Sequence, residues 1–84
     1  MKKLAKFTVH GTAVNSDQEI KLDEVSILAD PETLREIGRF LIRASEEMSD
    51  NGLEHMHLQD VIDDFDYENN VDFTALNGNV VKIV

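Results

Sequence analysis

The chain reads as an α+β fold. One long helix lies on a mainly antiparallel sheet of four or five strands, in the order β-β-α-β-β-β, as a single two-layer domain over residues 1–84. Three observations predict this. Only the segment from Asp30-Pro31 to Asn51-Gly52 carries apolar residues at helical spacing over a long run. The stretches on either side alternate apolar and polar residues with the two-residue period of strands. Eighty-four residues leave room for one hydrophobic core and no second domain.

Both ends of the helix are signalled. Asp30 can cap the first turn with its carboxylate, and Pro31 suits the first helical position, where its missing N–H costs nothing. Gly52, after Asn51, is a natural left-handed stop. On a helical wheel Phe40, Ala44, Ile37, Met48, Leu41, Leu34, Ser45, Gly38 and Ile42 fill one arc. Glu32, Arg35, Glu36, Arg39, Arg43, Glu46 and Glu47 fill the other. The apolar arc spans roughly 200°, wider than one sheet surface needs, so the helix should also touch something at its flank. Gly38, inside that arc, reads as a point of close helix–sheet packing.

The strands follow in order. Over residues 4–10, Ala5, Phe7 and Val9 alternate with Lys6, Thr8 and His10. Gly11 and Asn15-Ser16-Asp17 mark a turn, and a second strand runs from Glu19 to Ala29. Its pattern changes phase at Asp23-Glu24, which predicts a bulge or break. After the helix, Met56 and Leu58 share one face of a third strand, with His55 and His57 on the other. The acidic stretch 60–70 carries Val61, Ile62, Phe65 and Tyr67, which can cover the helix flank. Val71, Phe73 and Ala75 alternate again. Asn77-Gly78 is a strong hairpin signal, and residues 80–84 return as a last strand. One helix covers one sheet face. The open face would then collect Lys6, Thr8, His10, His55, His57 and Gln59.

Composition excludes several functions. There is no cysteine, hence no disulfide, thiolate zinc site or thiol nucleophile. No apolar run has the length of a signal sequence or membrane span, so the cytoplasm is the expected compartment. The formal charge of −9 is unevenly placed. Residues 1–43 hold seven basic and seven acidic side chains, whereas residues 44–84 hold ten acidic ones against Lys82 alone. Such a surface repels nucleic-acid phosphates and anionic lipid. It draws partners with a basic surface, at a rate that depends on salt.

Few residues invite chemistry. His55 and His57, two apart on a strand, share a face and could both ligate a metal, with His10 as a third ligand. No fourth ligand can be assigned, and a solvent-facing or partner-facing pair is the favoured reading. Asp64-x-Asp66-x-Glu68 mimics the start of an EF-hand loop, but Asn69 replaces the required glycine and Ala75 the final glutamate. The serines lie in no nucleophile elbow and the glycines form no phosphate loop. Glutamates flank Arg35, Arg39 and Arg43 at helical spacing, as on a salt-bridged solvent face. No enzyme and no cofactor is implied.

The run Ala29-Asp30-Pro31-Glu32-Thr33-Leu34-Arg35-Glu36-Ile37-Gly38-Arg39-Phe40-Leu41, followed by His55-Met56-His57-Leu58-Gln59-Asp60, resembles small bacterial immunity proteins of polymorphic-toxin systems. The likeness covers roughly residues 24–84, and His55, His57 and Asp60 fall on the family's recurring run. It implies stoichiometric binding of a toxin domain without catalysis. The expected function is therefore a binding protein whose acidic half, through His55, His57, Asp60, Asp63, Asp64, Asp66, Tyr67 and Glu68, occludes a basic toxin surface. The alternative is an interaction module that forms a homodimer through its open sheet face or last strand.

Overall fold

The computed structural model describes residues 2–82. Helix α1 spans Pro31–Asn51. The Thr33 backbone N–H donates to the Asp30 carboxylate at 2.8 Å, and Pro31 occupies the first turn. At the other end Gly52 sits at φ 66°, where a side chain would be strained. Its N–H donates to the Met48 carbonyl at 3.1 Å, and the Leu53 N–H turns back to the Glu47 carbonyl. Arg35 pairs with Glu32 and Arg39 with Glu36 along the solvent face. Phe40 and Ala44, 2% and 1% exposed, are the buried stripe.

The expected single sheet of four or five strands is wrong. The described residues form two separate two-stranded sheets, giving the order β-β-α-β-β. Val9–Thr12 (β1) pairs antiparallel with Glu19–Leu22 (β2), Val9 opposite Leu22. His55–His57 (β3) pairs antiparallel with Thr74–Leu76 (β4), Met56 opposite Ala75. Every strand is shorter than the alternating stretch that predicts it. Alternation marks a segment able to lie half-buried, but a strand extends only as far as its ladder of partners. Residues 4–8 have no ladder. The second strand ends at Leu22, just before the phase change at Asp23, and residues 24–29 run on without pairing. The shared open face is split accordingly. His10 lies in the first hairpin, and His55 and His57 in the second. Gln59 lies in the 3-10 turn Leu58–Asp60.

The Asn77-Gly78 signal turns the chain but returns no strand. The Asn77 carbonyl accepts from the N–H groups of Val80 and Val81 at 3.0 and 2.8 Å. Its side-chain oxygen accepts from the Asn79 N–H, and its amide donates to the Leu53 carbonyl at 2.9 Å. Asn77 is thus a buried polar residue with its hydrogen bonds satisfied, tying the end of β4 to the exit of α1. So held, the segment coils at 78–80, and residues 81–82 join no ladder. The rest of the expected last strand, Ile83 and Val84, lies outside the described residues.

The core sits between α1 and the second hairpin. The Phe40 ring meets Phe73 edge to face, with centroids 6.1 Å apart at 82°, and Leu58 is buried beside them. Met56 and its partner Ala75 are half-buried, and β3 packs against α1. Much of the apolar arc is left over, since Leu34, Leu41 and Ile42 are exposed. The chain exposes 7533 Å², against about 5,000 Å² for a folded monomer of its mass. Its radius of gyration is 13.7 Å, against about 12 Å for a compact chain of this length.

Gly38 is not a close contact. A Cβ built there meets nothing within 4 Å. Glycine in a helix interior carries an entropic penalty, so Gly38→Ala should raise stability by about 0.5–1 kcal/mol. Urea denaturation checks this, and a loss of stability would mean that the position is crowded after all.

Candidate functional site

The acidic segment after β3 is built from the inside out. Leu58 fixes its start: its N–H donates to the Phe73 carbonyl at 2.8 Å, and the Val61 N–H closes the 3-10 turn on the Leu58 carbonyl. Ile62 and Phe65 turn partly inward. Asp64 takes a left-handed backbone at φ 53°, which aspartate tolerates better than most residues. The segment then closes on Asp66. Its carboxylate accepts from the Asn69 side-chain amide at 2.7 Å and from the N–H groups of Asn69 and Glu68 at 3.2 and 3.1 Å. The Asn70 N–H reaches the Asp66 carbonyl. This is an aspartate-capped turn.

The structure divides the predicted site residues into two kinds. Asp60, Asp63, Asp64 and Glu68 are exposed, and among the described residues they form no ion pair. Tyr67 is 67% exposed, with its ring edge-on to Phe65 at 5.0 Å. These side chains face outward. Asp66 is committed to its own turn. His57 is partly buried and its Nδ1 lies 2.9 Å from the Thr74 hydroxyl, so it braces the hairpin. His55 is exposed, 5.1 Å from His57 between ring centroids and 3.6 Å from Glu54. His10 bonds within its own hairpin, to Thr8 and, at 3.6 Å, Glu19. Among the described residues no group of three His, Asp or Glu side chains is placed to hold a metal ion.

The Asn69 side-chain amide, and then its backbone N–H, hold the Asp66 carboxyl below the usual aspartate range. A carboxylate with a depressed folded pKa lends stability that is present at neutral pH and lost as pH falls through the depressed value. In an acid titration followed by NMR, the amide protons of Glu68 and Asn69 should shift with a midpoint below about 3.9, the unperturbed aspartate value. A midpoint at or above that value would rule out the capped turn.

Beside this loop lies a groove of about 520 Å³, between Val25–Leu28, the first half of α1 and residues 58–73. Its apolar lining includes Val25, Ile27, Ile37, Ile62, Phe65 and Val71, and its carboxylates are Glu32, Glu36, Asp64 and Asp66. No lysine or arginine lines it. The alternation at 25–29 suggested a strand, which hid this wall of the groove. Asp66-x-x-Asn69 was a readable signal for the capped turn.

The last turn of α1 contains no basic residue. The negative end of the helix dipole there adds to Glu46, Glu47 and Asp50 rather than being offset. Among the described residues no helix is long and apolar enough to cross a membrane.

No curated protein and no solved structure matches the chain. A family model described as Immunity protein 32 matches residues 24–77, from the wall of the groove, through α1 and the acidic loop, to the buried Asn77. That match takes in well over half of the sequence, and the chain belongs to the Immunity protein 32 family.

Proposed function

We propose that this protein neutralises a toxin domain by binding it one to one, with the 60–72 loop seated on a basic surface of the toxin. The observation that carries the reading is the exposure of the carboxylates Asp60, Asp63, Asp64 and Glu68 on the same loop as the exposed ring of Tyr67. Family membership supports the inhibitor role. The loop has the makeup of an interface anchor: an exposed aromatic ring for a partner to bury, in a segment whose charges would steer encounter. The capped turn at Asp66 holds the loop in one shape, which reduces the ordering cost of binding. The carboxylates stand where a toxin acting on a polyanion would hold its substrate's phosphates. Inhibition is then occlusion, without a catalytic step in this chain.

The test uses a candidate toxin domain with a basic surface, sought among the genes that flank the one for this chain. Co-expression should rescue cells from it, and mixing should give a stable complex that holds the two chains in equal numbers by light scattering. Tyr67→Ala should weaken the complex by tenfold or more, about 1.4 kcal/mol, the scale of a buried aromatic anchor. Rescue without a stable complex would remove occlusion as the mechanism.

A further inference from the structure

The groove beside the acidic loop asks for an occupant of particular chemistry. It has an apolar floor, four carboxylates and no cation. Its volume of about 520 Å³ falls within the ~300–1,000 Å³ of clefts that enclose a ligand. The matching chemistry is present in the chain itself. Residues 2–7 read Lys-Lys-Leu-Ala-Lys-Phe, three cations around two bulky apolar side chains. They join no strand or helix, and Leu4 and Phe7 stand 71% and 72% exposed. One helical turn would bring Leu4 and Phe7 to the same side, with the lysines around them.

We propose that residues 2–7 of one copy dock in the groove of a second copy, and the reverse, forming a reciprocal dimer. Three features support a second copy as the occupant. The charges of segment and groove are opposite: Lys2, Lys3 and Lys6 would meet a lining that carries Asp64 without a partner among the described residues. Beside it stand Glu32 and Glu36, whose helix-surface pairs with Arg35 and Arg39 are solvent-exposed, and Asp66, which holds its own turn. The segment leaves β1 at Val9, which pairs with Leu22, only three residues before the groove wall at Val25. Three residues span at most about 10 Å, so donor segment and acceptor groove lie on the same side of one copy, a placement that lets two such contacts form about a single two-fold axis. Finally, the exposed surface exceeds that of a self-sufficient fold of this mass by about 2,500 Å², more than the ~800 Å² that each partner gives to an ordinary interface. Dimerisation by this route needs no toxin, although Asp64 belongs both to the groove and to the toxin-facing loop.

Sedimentation equilibrium of the full chain should show a dimer at micromolar concentration that weakens as salt rises. Leu4→Ser/Phe7→Ser should raise its dissociation constant at least about a hundredfold, since each buried apolar side chain is worth about tenfold or more. Asp64→Asn, which keeps the left-handed backbone accessible, should weaken the dimer less but flatten its salt dependence. A peptide of residues 2–8, added to the monomeric double variant, should shift NMR signals of Val25, Ile37 and Val71. A wild-type monomer at several hundred micromolar would overturn the proposal. So would a dimer indifferent to the double substitution, or a monomer with Phe7 in its own groove.

Discussion

Phe40→Ala should lower the stability of this fold by about 3–5 kcal/mol, the cost of removing a buried aromatic ring and leaving a cavity. Among the described residues only Phe40, Ala44 and Leu58 are buried apolar side chains, and Phe40 is the largest of them. Its ring joins the helix to Phe73, hence to the hairpin that carries the acidic loop. The loss is a large share of the ~5–15 kcal/mol that holds a typical domain together. The variant should lose its cooperative urea transition or move it to much lower denaturant. Val14→Ala, at an exposed turn, should stay within about 0.5 kcal/mol of the parent. Equal effects from the two substitutions would mean that α1 and the second hairpin do not share a core.

The second large effect concerns binding. Asp60→Lys/Asp63→Lys/Glu68→Lys should weaken the toxin complex at least about a hundredfold, or 2.7 kcal/mol. All three carboxylates are exposed and make no hydrogen bond within the fold among the described residues. The triple change therefore reverses the field and leaves the loop intact. Asp66 is left alone because reversing it would undo the turn through Asn69. Asp64 is spared because its left-handed backbone disfavours lysine. The parent complex should weaken with salt, and the variant should lose that slope. Titration calorimetry at two ionic strengths reads both. An affinity and a salt slope equal to the parent's would end the electrostatic reading.

The helix was legible down to its caps because its signals are local. Asp30, Pro31 and Gly52 act within four residues of their own position, and the apolar spacing repeats along one segment. The turn at Asn15 and the break at Asp23 were legible for the same reason, but residues 4–8 and 24–29 alternate without joining a strand. The assembly of strands was not. Pairing depends on partners far along the chain, and alternation alone cannot say that β1 stops at β2 while β3 finds β4 across the loop. The open face of six polar residues failed with that assumption. At the site, sequence placed Asp60 to Glu68 together but could not rank them. The Asp66-x-x-Asn69 spacing, unread in the sequence, is what separates Asp66, consumed by its own turn, from Asp63, which is exposed. The width of the apolar arc pointed to a contact at the helix flank, and that part of the arc is left exposed. Leu34, Leu41 and Ile42 had too little sheet to cover them.

The connection between β1 and β2 offers a practical handle. It is held by one backbone hydrogen bond, from the Ser16 N–H to the Ala13 carbonyl, and turns at a left-handed Asn15. It also precedes the stretch matched by the family model. Exposed turn tips of this kind accept foreign sequence with little disturbance. A fluorescent reporter spliced at Asn15, or a lone thiol introduced there in a chain that otherwise has none, would give a labelled protein for imaging its encounters inside living cells.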